Sequence, residues 1–418
     1  MTWALSMKPF TAFSLIFFVC CQMDERKLAG MYYFDHCAST PPHEEVIRTM
    51  AEVMAKHYAN PSSLHRSGQE AGNLLERARG AIASLFPGTD AKEWIFTSSA
   101  TESNNIAVMG AARSGKKRGN HLITTVVEHP SVYDTFQALE REGFQVTYLP
   151  VDSFGVVSVS DLEAALTDET VLVSVMHVNN EVGAIQPIAE IGKLLKRHRR
   201  VMFHVDGVQS MGKLPVDLTG WGIDMFSASA HKVNGPRGVG LLYIRQGVTL
   251  EPLLRGGSQE HELRPGTENV PAIVASAKAF RLAAESGAAR AERMYKLRAR
   301  LIACIQDIPE LHINGSTDCK LGSCAAPHIL HFSYPGMKPE VIIHMLEKQE
   351  IMASTKSACS SKSEEPSRVL LAMQASYESA VSGIRISFGD EHGEAELDWL
   401  CRKVRLVVQQ LRPLERKG

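Results

Sequence analysis

Apolar runs that do not alternate with polar residues, set between stretches of helical periodicity, constrain this chain more than any other feature. Residues 94–96, 121–127, 145–149, 171–178, 201–205, 223–226 and 239–244 read as such runs. A strand with one wet face alternates apolar and polar side chains, whereas a strand buried on both faces does not. Helical segments separate most of the runs. The expected class is therefore α/β, a mostly parallel sheet of about seven strands sandwiched by helices.

Two helices precede the sheet, over 43–57 (apolar at Val46, Ile47, Met50, Val53 and Met54) and 69–85, with Asn60-Pro-Ser-Ser63 as the breaker between them. After residue 244 the pattern changes. A polar loop with Arg255-Gly-Gly-Ser-Gln and Arg264-Pro-Gly-Thr-Glu-Asn269 leads into one long helical stretch from 271 to about 308. The remainder reads as a smaller α+β C-terminal domain: strands at 328–333 and 383–388, helices at 340–348 and 394–411. At 418 residues, two domains are expected.

Net charge of −1 gives no electrostatic case for direct nucleic-acid binding or for an anionic membrane surface. The eight cysteines form no Cys-x-x-Cys pair, which speaks against a zinc site or a disulfide framework and for a reducing, cytoplasmic setting; no metal is expected. The apolar run 10–21 is too short to span a bilayer, although it resembles the core of an export signal. No small-x-small cleavage site follows it. Residues 1–30 are read as an extension outside the fold, from an over-extended start, with a signal or anchor as the alternative.

Chemistry concentrates around Ser227-Ala-Ser-Ala-His-Lys-Val-Asn-Gly-Pro-Arg-Gly238, a polar turn between two apolar strands. Lys232 places an amine at a sheet edge, with Ser229 and His231 as donors suited to a phosphate. Upstream, the run Val201-Met-Phe-His-Val205 ends in Asp206. A lysine and a strand-end carboxylate are what pyridoxal phosphate requires, the first for a Schiff base and the second to keep the ring nitrogen protonated. Ser98-Ser-Ala-Thr-Glu-Ser-Asn-Asn105 follows a strand and opens a helix, whose first amides favour an anion. Lys356 and Lys362 flank Cys359 in a small, polar stretch, a setting that favours thiolate.

Ser-Ala-His-Lys, His-Val-Asp-Gly-Val-Gln and Lys-Ser-Ala-Cys359-Ser-Ser together resemble the NifS/IscS-like cysteine desulfurases of the class V aminotransferase superfamily, with PLP fold type I. The resemblance implies pyridoxal 5'-phosphate as cofactor, with Lys232 as its Schiff-base lysine and Asp206 on the ring nitrogen. Ala100, Thr101, Ser229 and His231 would hold the phosphate, joined by Thr267 from a neighbouring subunit, which implies a homodimer. Ser99 stands where the family usually has glycine. Asn180 and Gln209 would contact the phenolic oxygen. His129 would stack on the ring and shuttle the substrate thiol's proton, while Arg385, with Asn180, would bind the α-carboxylate of L-cysteine. Cys359 would attack the substrate sulfur, leaving L-alanine and a Cys359 persulfide for an acceptor, either an iron–sulfur scaffold or a tRNA-thiolating enzyme. Cys37 is the rival thiol. The implied domains are a large one over 46–289 and a small one formed by 31–45 plus 290–418. A selenocysteine lyase-like enzyme is the alternative within the same chemistry, and a non-catalytic scaffold the alternative outside it.

Overall fold

The computed structural model describes residues 31–355 and 365–414; residues 1–30 and Cys359 lie outside the described residues. Its strands in chain order are β1 (Tyr32–Tyr33), β2 (Trp94–Thr97), β3 (His121–Thr125), β4 (Gln145–Leu149), β5 (Thr170–Met176), β6 (Met202–Asp206), β7 (Met225–Ser229), β8 (Gly240–Ile244), β9 (His312–Asn314), β10 (Ile329–Ser333), β11 (Ile351–Met352) and β12 (Gly383–Ser387). Seven of them form one sheet in the order β2-β8-β7-β6-β5-β3-β4. Pairing is parallel except at β8, which runs against both of its neighbours. This is the expected α/β sandwich.

β5 shows why the sheet was legible. Its seven residues, Thr-Val-Leu-Val-Ser-Val-Met, are all buried, so no face needed polar residues. One apolar cluster packs beneath this sheet and includes Phe96, Val175, Phe203, Phe226 and Phe280. Val369, Leu370, Met373 and Ala380, far along the chain, join it. A second cluster surrounds the three-stranded sheet β12-β10-β9 and takes Phe34 from the N-terminal segment together with Leu301, Phe332, Ile386 and Leu400. Accordingly β1 pairs in parallel with β11, and Asp35 bridges to Ser387.

The long helical stretch expected over 271–308 is a correction. It is two helices, Val270–Glu285 and Gly287–Gln306, with Ser286 at φ −103° and ψ 0° between them. Apolar periodicity continues on either side of the break, and a Ser-Gly pair inside a periodic run is a weak punctuation mark.

Candidate active site

The carboxyl ends of β2, β3, β5, β6 and β7 lie on one side of the large sheet, around the point where strand order reverses between β3 and β5. Clefts form there because the connecting chains leave in opposite directions. Ser99 to Thr101, His129, Asn180, Asp206 and Ser229 follow or end these strands.

Asp206, the last residue of β6, is buried. Its Oδ2 accepts from Asn104 Nδ2 at 2.8 Å and its Oδ1 from the Val208 amide at 3.0 Å. Gly207 permits the turn beyond it, since a Cβ there would stand 1.9 Å from the Phe226 ring. Asn104 also donates to Ser131 Oγ at 2.9 Å, which leaves the Ser131 hydrogen for His129 Nδ1 at 2.8 Å. The Ser131 amide reaches the same nitrogen at 3.2 Å, as the N-cap of the helix Pro130–Arg141. Because Nδ1 accepts from both, the ring proton is assigned to Nε2. Burial lowers the His129 pKa, the Asp206 carboxylate opposes that and Lys232 adds to it, so the imidazole lies within electrostatic reach of both. Asn104, the link in this network, lies within the Ser98–Asn105 motif, whose sequence alone does not single it out. Its spacing of three residues from Thr101 on one helix face was the available signal.

Lys232 ends a 3₁₀ turn, Ala230–Lys232, and its Nζ donates to the carbonyl oxygens of Cys37 and, at 2.8 Å, Ala38. The Cys37 carbonyl also accepts from Gln209 Nε2 at 3.1 Å, while Gln209 Oε1 is buried with no partner. Behind the lysine, Lys213 Nζ donates to the Lys232 carbonyl at 3.0 Å, and burial lowers the Lys213 pKa to about 8. His231 Nδ1 lies 3.2 Å from Ser39 Oγ, and burial, aided by Lys232, lowers its pKa to about 4. Ser229 Oγ is buried without a partner. Ser229 pairs with Gly240, where a Cβ would come within 2.4 Å of the Ser99 backbone. Ser229 and the Ser99 turn are therefore neighbours. Ser99 caps the helix Ala100–Gly115, accepting from the Glu102 amide at 3.2 Å.

Arg385 sits on β12 between Ile384 and Ile386, and alternation alone would point it to solvent. Instead it is 1% exposed. Nη2 meets Asp35 Oδ1 at 2.8 Å, Nη1 donates to the Asn180 carbonyl at 2.7 Å, and Nε has no partner. Burial alone would lower its pKa; neighbouring Cys37 and Asp35 outweigh burial and raise it. Asn180 thus contacts Arg385 through its backbone. Cys37, the rival thiol, is buried in an apolar cluster with Val178, Ala326 and Ile329.

Thr101 and Thr267 are exposed. The loop leading to Thr267 is anchored by Glu260, whose carboxylate accepts from Arg79 Nη1 and Nη2 at 2.8 and 2.9 Å and from the Phe96 amide at 2.8 Å. Glu260, His261 and Glu262 have φ of 46°, 56° and 63°, a left-handed run that this buried pair holds in place. His36, Glu391 and His392 are the one three-donor cluster among the described residues. Within it, His36 Nε2 lies 2.8 Å from Glu391 Oε1, and His392 Nδ1 accepts from the Gly389 amide at 2.8 Å.

Glu128 precedes His129 and is fully buried; Oε1 accepts from Thr125 Oγ1 (2.8 Å) and the Met176 amide (2.9 Å), and Oε2 has no partner. Burial raises its pKa to about 8, against those hydrogen bonds. The folded state therefore binds a proton more tightly than the unfolded chain. Its contribution to stability is complete below the ordinary value of 4.5 and is lost as pH rises through about 8. In scanning calorimetry the melting temperature of Glu128→Gln should gain on that of wild type between pH 5 and pH 8 (the window spanned by those two values, about). A constant gap would mean that Glu128 is ionised throughout.

The aminotransferase class-V family matches residues 32–400. A cysteine desulfurase IscS from Clostridium botulinum is 41% identical over 383 residues, 91% of this chain and 95% of that protein. A cysteine desulfurase IscS from Escherichia coli is 43% identical over 387 residues, 91% of this chain and 94% of that protein. Among solved structures, a NifS-like protein superposes with a TM-score of 0.85 at 37% identity, covering 91% of this chain and 100% of its own. DndA from Streptomyces lividans does so with a TM-score of 0.72 at 37% identity, over 85% of this chain and 99% of its own.

Proposed function

The chain belongs to the class-V aminotransferases and, within them, to the cysteine desulfurases, and from that premise we propose which of its residues carry the reaction. The supporting observation is convergence. Lys232 and Arg385 are both tied to the turn at residues 35–38, and His129 lies within reach of both Lys232 and Asp206.

Pyridoxal 5'-phosphate fits the donor set. Ser229 Oγ and Gln209 Oε1 are buried without partners, and the Ala100 and Thr101 amides open a helix beside Ser229. Ala100, Thr101, Ser229 and His231 would hold the phosphate, Asp206 the ring nitrogen, and Gln209 and Asn180 the phenolic side. When bound, the cofactor supplies a sink for the electrons released at the substrate α-carbon. Asp206 keeps a proton on the ring nitrogen, and Asn104 and the Val208 amide fix both of its oxygens for that task. Lys232 Nζ would hold the cofactor, and it is the amine that would move the α-proton. Arg385 binds the α-carboxylate of L-cysteine with its unpartnered Nε–H. His129, neutral, exchanges a proton through Nε2. The Cys359 thiolate attacks the substrate sulfur: the Cβ–S bond breaks, an S–S bond forms, and the electron pair stays with the carbon fragment, which takes up protons to become L-alanine.

Our reading divides the chain into a large domain over 46–289 and a small one of 31–45 plus 290–418. It makes the enzyme a homodimer in which Thr267 serves the partner's cofactor. Tyr58 (87% exposed) and Met54 line one groove with Thr267, and Leu64 (92% exposed) follows closely in the chain; these apolar side chains suit a covered surface. No helix among the described residues is long and apolar enough to cross a membrane, and the described cysteines are all free. We assign the enzyme a reducing, cytoplasmic setting and an acceptor protein for the persulfide, an iron–sulfur scaffold or a tRNA-thiolating enzyme.

The test is turnover. Protein supplied with pyridoxal phosphate, L-cysteine and a thiol reductant should release alanine and sulfide in equal amounts. Asp206→Ala should lower the rate by about a hundredfold to a thousandfold, the order lost when one preorganised charge is removed from a water-excluded site. A variant that turns over normally would remove Asp206 from the mechanism.

A further inference from the structure

Arg385 is not alone in its pocket. Asp35 Oδ1 accepts from its Nη2 at 2.8 Å, and Asp35 Oδ2 accepts from Ser354 Oγ at 2.6 Å. Ser354 in turn pairs with the Arg385 backbone, accepting from the Arg385 amide at 2.7 Å. On the other side, the Asn180 carbonyl takes Nη1, and the next residue, Glu181, accepts from Ser367 Oγ at 2.6 Å through Oε2. Both Asp35 and Glu181 favour the charged guanidinium. A buried cation thus has one carboxylate bound to it, that of Asp35, and a second contributing to its field, that of Glu181, before any substrate arrives.

We propose that Asp35, supported by Glu181, is a positioning residue that serves as resident counter-ion to Arg385 and thereby sets how tightly the site holds an α-carboxylate. This rests on the reading that Arg385 binds that group. In the free enzyme Asp35 neutralises and aims the guanidinium, which buried and unpaired would be costly. It also places a like charge a few ångströms from where the substrate carboxylate must lie. The site is therefore oriented for a carboxylate and held back from gripping it, so that L-alanine, which keeps the same carboxylate as L-cysteine, can leave.

Asparagine at position 35 keeps a carbonyl oxygen for Arg385 and a polar group for Ser354 but removes the charge. Binding of L-alanine and of L-alaninamide, measured by calorimetry on the pyridoxal-loaded protein, separates the possibilities. Asp35→Asn should bind L-alanine about tenfold more tightly, the order expected for a like charge at this range. L-alaninamide, lacking the negative charge, should be unchanged, and the KM for L-cysteine should fall with the L-alanine Kd. Glu181→Gln should act in the same direction more weakly, and it tests the idea should Asp35→Asn fail to fold. Unchanged or weaker L-alanine binding in the folded variants overturns the proposal. Arg385→Lys identifies which layer failed. If it weakens L-alanine but not L-alaninamide while the Asp35 and Glu181 variants do nothing, Arg385 binds the carboxylate and the counter-ion role is wrong. If it leaves L-alanine binding intact, the carboxylate assignment itself is wrong and the counter-ion role falls with it.

Discussion

Lys232→Ala should abolish the release of alanine and sulfide from L-cysteine, by at least about 10⁴-fold, because one amine both holds the cofactor and moves the substrate proton. The fold should survive the change. The Cys37 carbonyl keeps its bond from Gln209, and the Ala38 carbonyl, which loses a donor, lies in a turn close to the cleft. A melting temperature near that of wild type, with pyridoxal phosphate removable by gel filtration, would separate loss of chemistry from loss of structure. Normal turnover by this variant would end the cofactor assignment. Lys213 is the amine to examine next in that event, since burial has already lowered its pKa to about 8.

Cys359→Ser should stop the reaction at a later point. A hydroxyl is scarcely ionised near neutral pH, whereas a thiolate between Lys356 and Lys362 is an effective sulfur nucleophile. Binding of pyridoxal phosphate and L-cysteine depends on Lys232, Asp206, His129 and Arg385, so the variant should still show spectral changes with L-cysteine. Alanine should not accumulate, and mass spectrometry should find no added sulfur on the protein. In wild type, one added sulfur should appear on the peptide containing Cys359. Finding it on Cys37 would reassign the nucleophile against the apolar packing of that side chain. L-selenocysteine tests the alternative substrate. Selenium leaves without help from an enzyme thiol, so Cys359→Ser should lose cysteine turnover and keep selenocysteine turnover. Equal loss on both would give Cys359 a different role.

The large sheet was legible because burial on both faces leaves a local record. A strand such as β5 excludes charged side chains along its whole length. Asp206 was legible for a related reason: a carboxylate that abruptly ends an apolar run lies at a strand end, where clefts form. The break at Ser286 was not legible, because apolar spacing resumes immediately in the next helix.

Arg385 shows the limit most clearly. Its neighbours Ile384 and Ile386 give it the alternation of a solvent-facing residue, yet it is buried against a segment 350 positions away. Nothing local encodes that cover. Asp35 was invisible for the same reason: its partners Arg385 and Ser354 come from the far end of the chain. The Asn104–Asp206 bond spans 102 positions, and the Lys232 bonds to the 37–38 carbonyls span nearly twice that. By itself the sequence determined the fold class, the sheet and the chemical types gathered at its carboxyl edge, because periodicity and burial act between near neighbours. Only the tertiary structure decided which hydrogen bond holds each group, which nitrogen of His129 carries the proton and which carboxylates face Arg385. Those depend on distances between segments that no local pattern records.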